Sequence, residues 1–407
     1  MSGVRPVLIA GGGPVGVVTA LALARAGLEV RLFEADNRVN EAPRAASTHP
    51  STLEMLDGLG LINEVLQQGL KAPTFQFRER SSGELIAEFD HLAIRDDTPY
   101  PFVVQLEQHK LANIAIEQLR SLPNARVQMS ARVTSLELRD NGIQIEVKAG
   151  GNTKAVTGSY LIGADGGRST VRKLLGIDFE GLTFPERFLV VTTSFDFAKA
   201  LDCAFRNFFF DPEEWVNLFK VRGSDDRGAW RVVFPTKVGE TDEEALSNES
   251  IQRRLQSAFP RSGAYPIVHR NIYHVHQRLA ATFQKGRTFL AGDAAHVNNP
   301  LGGLGLNCGI HDAVDLASRL IGVLRDQEPP ETLSGYDQCR RPINIEYVQR
   351  QSIANKRRLE EKDVNARRQY FTFLRKTAAD PRRHRAFLLR TSLLDSVREI
   401  TARQVSN

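Results

Sequence analysis

Val7-Leu-Ile-Ala-Gly-Gly-Gly-Pro-Val-Gly16 carries four apolar residues into a Gly-x-Gly-x-x-Gly turn. Val17 to Ala26 continue with small and apolar residues at helical spacing until Gly27 stops them. Glu29-Val-Arg-Leu-Phe-Glu34 then reads as a second strand that ends on an acid. Dinucleotide-binding α/β folds need these parts in this order. The first glycine makes the tight turn, the second lets backbone approach a pyrophosphate, and the third packs helix on strand. Gly11, Gly13 and Gly16 take those three places, with Pro14 in the same turn. Glu34 follows about twenty residues on, where a carboxylate binds ribose hydroxyls and disfavours a 2′-phosphate.

Two more short strands deliver an acid into glycines. Tyr160-Leu-Ile-Gly-Ala-Asp165 runs into Gly166-Gly167, with Ser169 placed to cap the next helix. Phe289-Leu-Ala-Gly-Asp293 precedes Ala-Ala-His296 and a loop with Gly302, Gly303 and Gly305 that opens an amphipathic helix. Without Cβ atoms, that loop leaves successive N–H groups able to approach a polar heterocycle or an anion. Three strand ends of one sheet would then offer backbone or carboxylate to the same long ligand.

At 407 residues, two domains sharing an interface are expected. The nucleotide domain is read as residues 1–73, 105–180 and 281–350. Residues 74–104 and 181–280 are read as an inserted antiparallel sheet, rich in Phe and Trp, that walls an aromatic-lined pocket. Residues 351–407 are read as C-terminal helices, with Tyr336 to about Arg368 as one long helical pattern and Ser51 or Thr52 capping an earlier helix. Two strands are expected near Arg126–Leu138 and Gly142–Lys148.

No apolar run reaches the roughly 18 residues of a membrane span. The opening residues read as a strand rather than a signal peptide, so a cytoplasmic protein is expected. Cys203, Cys308 and Cys339 are odd in number and far apart, which argues against a disulfide framework and against a metal site. From Asn355 onward 14 Lys/Arg face 6 Asp/Glu in a chain of net charge +5. A solvated helix face explains this surplus, since the stacking aromatics of a nucleic-acid binder are not interleaved with it.

With its three glycine stretches in place, the sequence resembles the single-component FAD-dependent aromatic hydroxylases of the para-hydroxybenzoate hydroxylase type. Asp165-Gly-Gly-Arg-Ser-Thr-Val-Arg172 fits that family's Asp-Gly-x-x-Ser-x-Val-Arg in full, and Gly292-Asp293 supplies its third motif. The resemblance implies an α/β fold: a Rossmann-like FAD-binding domain, an inserted antiparallel β-sheet substrate domain and a C-terminal helical segment. It implies that Gly11, Gly13, Gly16 and Glu34 hold the ADP half of FAD, and that Arg44 and Gln105 contact phosphates and ribityl chain. Asp165 serves FAD in the middle motif and Asp293 binds the ribityl hydroxyls. Pro300 lies beside the isoalloxazine, and N–H groups around Gly305, Leu306 and Asn307 face its pyrimidine edge. Leu304, Leu306 and Asp315 depart from the family's usual Gln, Met or Ala, and Asn. From the chain's length, the thioredoxin-like extra domain of the phenol hydroxylase branch is not expected.

The reaction so implied is hydroxylation of a small phenolic or hydroxypyridine-like ring, using O2 and a transient NADH or NADPH, through a flavin hydroperoxide. A base relay helps ring attack by deprotonating a phenol, and His49, Tyr100 and His296 are its candidates. Arg206, Asn217 and Arg231 are candidates for orienting a polar substrate. A monomer or homodimer is expected. Two alternatives share the scaffold: an FAD-dependent dehydrogenase or reductase, and a flavin-bearing sensor whose basic tail docks a partner.

Overall fold

The computed structural model describes residues 5–43, 45–223 and 228–405, with side chains described to residue 400. Arg44 lies outside the described residues. A six-stranded sheet runs in the order Gln284–Lys285, Thr288–Leu290, Leu161–Gly163, Val7–Ala10, Val30–Phe33, Ala125–Gln128. It is parallel throughout except for the first pair. The central strands Val7–Ala10, Leu161–Gly163 and Thr288–Leu290 are covered on both faces, which is why they read as short, nearly unbroken apolar runs rather than alternating ones. The helix Pro14–Arg25 packs between Gln108–Arg120 and Leu304–Leu324. Ala10 pairs with Gly163 and Gly163 with Leu290, so the turns that begin at Gly11, Ala164 and Ala291 leave the sheet side by side.

An eight-stranded sheet joins His296–Val297, Ile267–Ala280, Phe179–Thr193, Ala229–Pro235, Val216–Val221, Arg206–Phe210, Thr74–Glu79 and Leu85–Asp90. All pairs are antiparallel except Arg206–Phe210 with Thr74–Glu79. Side chains alternate between its faces. Leu189, Val191, Phe209, Leu218, Val232 and Phe234 form one apolar layer with Ile251 and Leu255 of the helix Asn248–Ala258. On the other face Val190, Arg206, Phe208, Phe219, Arg231 and Val233 line a cavity. Val103–Gln105 stands outside this sheet, paired with Ser47–Thr48 and Leu70–Ala72.

Three readings of the sequence are corrected here. The strand expected near Gly142–Lys148 is present as Gly142–Ala149, but the one expected near Arg126–Leu138 is two: Ala125–Gln128 at the edge of the six-stranded sheet, and Ala131–Arg139 in a separate three-stranded sheet with Gly142–Ala149 and an additional edge strand, Asn152–Gly158. That strand is exposed along most of its length and so carries no alternation to read. The long pattern from Tyr336 to Arg368 is several pieces: Gly335–Ile343, a π-helical stretch Asn344–Gln349, Arg350–Leu359, and a break before Val364–Ala379. Pro342 lacks an N–H inside the first piece, the disturbance that commonly forces wider turns. The helix Pro50–Gly58 is preceded by His49 at its N-cap, not by Ser51 or Thr52. Pro50 fixes the first helical residue and holds His49 extended. The Ser51 and Thr52 hydroxyls instead lie 3.2 and 3.1 Å from His311 Nε2.

Candidate active site

The three glycine turns open onto a cavity of about 610 Å³ that runs from Gly13, Pro14 and Gly166-Gly167 to the inner face of the eight-stranded sheet. Gly11 has φ +109°, and a Cβ there would lie 2.3 Å from the Ala164 carbonyl oxygen. At Gly16 a Cβ would lie 2.0 Å from the Gly11 carbonyl oxygen. Gly13 is different, because a Cβ there would meet no protein atom within 4 Å. Its bare backbone leaves room for something that is not protein.

Neither helix that starts at the cavity, Pro14–Arg25 or Leu304–Leu324, has a side-chain cap on its first N–H groups. Uncapped N-termini are ready-made anion and heteroatom sites. Gln105 is not itself on the wall: Ser47, which is, donates through Oγ to its Oε1 at 3.1 Å, and its buried Nε2 has no hydrogen-bond partner among the described residues. These features fit a long dinucleotide with a polar ring.

The expected cofactor residues fall into two groups. Asp293, Pro300, Gly305 and Leu306 line the cavity with Gly13 and Pro14, and Asp293 stands exposed at the end of its strand. The others turn toward the chain itself. Glu34 accepts from the backbone N–H groups of Gly12 and Asp36, which places its carboxylate against the first glycine turn. Asn307 is fully buried: its Oδ1 accepts from His49 N at 2.8 Å, and its Nδ2 donates to Ser47 O and Gly303 O at 2.8 and 2.6 Å. Asp165 accepts from Ser169 Oγ and, at 2.7 and 3.1 Å, from Thr170 N and Val171 N. Its carboxylate caps the helix Thr170–Leu174, and backbone of Ala164, Gly166 and Gly167 lines the cavity instead.

The three base candidates are also separated. Tyr100 does not line that cavity; it packs edge-on against Phe102, and burial together with Asp57 pushes its hydroxyl up to about 12. His296 is fully buried behind the Asp293 loop, its Nε2 2.6 Å from Asp312 Oδ2. Burial alone would push this imidazole down, but the Asp312 carboxylate and Cys308 beside it hold it up at about 10. It is therefore a charged structural partner.

His49 does not line that cavity but reaches the wall of a second one, which meets the first at Arg206 and Gly302. Its Nε2 lies 2.9 Å from the Gly302 carbonyl oxygen, so Nε2 carries the proton and Nδ1 is an acceptor, buried and without a partner among the described residues. Burial and the nearby Arg206 lower its pKa to about 3.

Arg206 is 6% exposed and lines the cavity. Its guanidinium lies 5.4 Å from the Phe75 ring, and among the described residues no acceptor lies within hydrogen-bond distance of it. Burial brings it down to about 10, so it is still a cation at neutral pH. Arg231 differs, with Glu107 3.6 Å away, and Asn217 lies half-buried in the same wall.

Two supporting contacts are visible only in the structure, although Arg172 itself closes the middle glycine motif. Arg172 donates to Ala294 O at 2.8 Å and Gly167 O at 2.9 Å, tying the second glycine turn to the third. Asp312 accepts from Gly292 N at 3.1 Å and from Arg340 Nε at 2.8 Å, and so anchors the Asp293 loop from behind. An acid on the buried stripe of an apolar helix was the available signal; its partners are remote in sequence.

One cavity thus offers phosphate- and ring-binding backbone at one end and an apolar wall with a buried cation at the other, and the class it defines is the FAD-dependent aromatic monooxygenases. The chain belongs to the FAD binding domain family, whose model matches residues 5–351. It is 36% identical over 401 residues to the para-nitrophenol 4-monooxygenase of Pseudomonas sp. (strain WBC-3), covering 97% of each chain. It is 35% identical over 364 residues to the 6-hydroxy-3-succinoylpyridine 3-monooxygenase HspB of Pseudomonas putida (strain DSM 28022 / S16), covering 88% of this chain and 90% of that one. Among solved structures, p-nitrophenol 4-monooxygenase PnpA from Pseudomonas putida DLL-E4 superposes with a TM-score of 0.90 at 32% identity, over 96% of this chain and 99% of that one. No helix among the described residues is long and apolar enough to cross a membrane.

Proposed function

We propose that the chain hydroxylates a small phenol or hydroxypyridine held between the inner face of the eight-stranded sheet and the Pro300–Gly303 loop. The observation that carries this reading is that a single cavity links the glycine turns to Arg206, a buried cation without an acidic partner among the described residues. An unpaired buried charge costs several kcal/mol, which an anionic ligand group offsets. The relatives at 36% and 35% identity are named for para-nitrophenol and 6-hydroxy-3-succinoylpyridine, both hydroxylated rings.

FAD bound here would supply the chemistry, reduction by NADH or NADPH and activation of O2, with one oxygen atom going to the ring and the other to water. The chain's residues bind, orient and keep dry. Gly13 and the first turn of Pro14–Arg25 would take the pyrophosphate and Asp293 the ribityl hydroxyls, while Glu34, whose two oxygens already accept from Gly12 N and Asp36 N, would meet the ribose with its remaining lone pairs. Arg206 fixes a phenolate oxygen or another anionic substituent. His49, with Nε2–H committed to Gly302, accepts the substrate hydroxyl proton at Nδ1. An anion paired with Arg206 cancels one of the charges that hold His49 low, so substrate binding itself makes the base stronger. Val190, Phe208, Phe219 and Val233 exclude water from the ring.

The test is to screen phenols, hydroxybenzoates and hydroxypyridines for acceleration of NAD(P)H oxidation by the flavinated protein under 18O2. One 18O atom in the product is expected. Coenzyme oxidation that no ring stimulates, or product without label, would leave the dehydrogenase reading in its place. Asp293→Ala should weaken FAD retention by about 2 kcal/mol, roughly thirtyfold. A fully flavinated Asp293→Ala protein with normal turnover would remove Asp293 from the ribityl contact.

A further inference from the structure

A second cavity of about 420 Å³ lies on the far side of Arg206. It meets the first at four residues that line both: Arg206, Phe208, Leu301 and Gly302. Otherwise the two are built from different parts of the chain. The second takes its outer wall from the helices Arg350–Leu359, Val364–Ala379 and Pro381–Thr391, and none of these contributes to the first.

Its chemistry is graded from outside to inside. At the surface stand Arg350, Arg358 and Arg390 with one acid, Glu346, which Arg350 and Arg390 share, while Arg358 lies 4.8 Å from the Tyr370 ring. Phe373 is 48% exposed there and stacks on Tyr370 at 5.8 Å. Further in, Phe75, Phe77, Phe208 and Phe210 crowd one another with centroids 5.5 to 6.4 Å apart. At the deep end stand Arg206 and two neutral histidines. His91, like His49, is pinned through one ring nitrogen to a backbone carbonyl, with Nδ1 2.7 Å from Pro73 O, and burial and Arg206 lower it to about 3. Aromatic walls favour a planar ring, and a basic rim draws in anions and speeds their arrival. A neutral ligand would use the rings but not the unpaired guanidinium.

We propose that the second cavity is the substrate's own entrance, which admits an aromatic ring bearing a negative charge at the Arg350–Arg358–Arg390 rim and passes it along the phenylalanines to Arg206. The proposal rests on the hydroxylase reading above and adds the charge of the substrate and its path.

The test uses the FAD-loaded protein, with 4-nitrophenolate and the uncharged 4-methylphenol as probes, followed by equilibrium dialysis and stopped-flow tryptophan quenching. Arg206→Leu should weaken 4-nitrophenolate at least tenfold and 4-methylphenol less than threefold, and Arg206→Lys should recover part of the loss. Ala354→Trp, which fills the half-buried wall of the second cavity, should slow association of both probes at least tenfold while FAD content stays as in the parent. Should that variant fold poorly, the surface pair Arg350→Glu with Arg358→Glu carries the same question: it should slow 4-nitrophenolate several-fold and flatten the salt dependence of its association. Association within twofold of the parent in the folded cavity and rim variants places the entrance elsewhere and overturns the proposal. So does retention of 4-nitrophenolate no tighter than that of 4-methylphenol. A protein that binds 4-nitrophenolate through Arg206 but oxidises no coenzyme would overturn the hydroxylase reading and leave the anion path standing; coupled turnover with unchanged association would do the reverse.

Discussion

Asp312→Ala should destabilise the folded protein by about 3–5 kcal/mol, the cost typical of removing one partner from a buried ion pair. Asp312 is fully buried and holds three donors, Gly292 N, His296 Nε2 and Arg340 Nε. Burial acts to raise its pKa, but His296 and Arg340 bring it down to about 2. Without the carboxylate, Arg340 is left as a fully buried cation that cannot shed its proton. His296 can shed its own, and this gives the loss a pH signature. In the parent its folded pKa, about 10, lies above the unfolded value of about 6.5. Its contribution is therefore fully present below pH 6.5 or so and fades as pH rises toward 10. In the variant that contribution is gone, so the gap between the two proteins should be widest near pH 6 and narrow by pH 9. Urea unfolding at several pH values measures this. Equal midpoints across the range would mean that the buried charges contribute nothing net. FAD should also be lost more readily, since Gly292 N loses its anchor beside Asp293.

Gly13→Ala should abolish FAD retention, with at least a tenfold loss in affinity, while the cofactor-free protein unfolds like the parent. Gly13 has φ −70°, an ordinary value for alanine, and an added Cβ meets no protein atom within 4 Å. Any penalty must then come from a ligand that occupies the space. Gly16→Ala supplies the contrast, because its Cβ would overlap the Gly11 carbonyl oxygen and should harm folding and binding together. If Gly13→Ala emerged fully yellow with unchanged FAD affinity, the pyrophosphate would not lie where the fingerprint puts it. Calorimetry on apoprotein and titration with FAD separate the two effects.

What could be read beforehand follows from how local each signal is. The strand, turn and helix of residues 7–25 need only neighbours in sequence, and so does Ser169, whose hydroxyl accepts from Arg172 N at 2.9 Å as an N-cap. Asp165 shows where locality misleads. An acid at a strand end beside glycines looks the same whether it reaches a ligand or caps the next helix, and here it caps. Tyr100 and His296 were plausible by residue type, but their surroundings are set by Asp57 and Asp312, which sequence spacing does not reveal. The isolation of Arg206 is the least legible feature of all. A missing partner is a property of every surrounding element at once, and neighbours of Arg206 come from residues 49, 75 and 301 as well as its own strand.

The order of strands in the six-stranded sheet bears on how the chain is made. Thr288–Leu290 pairs with Leu161–Gly163 across residues 164–287, which supply five strands of the eight-stranded sheet. A nascent chain leaving the ribosome would hold two of its three glycine turns long before the last arrives, with one sheet edge unpaired in the interval. Contacts so distant along the chain form slowly, and an open edge invites aggregation. Vitamin supply during expression should therefore matter late, at release of the finished chain, and limited riboflavin should yield folded but pale protein rather than truncated or insoluble fragments.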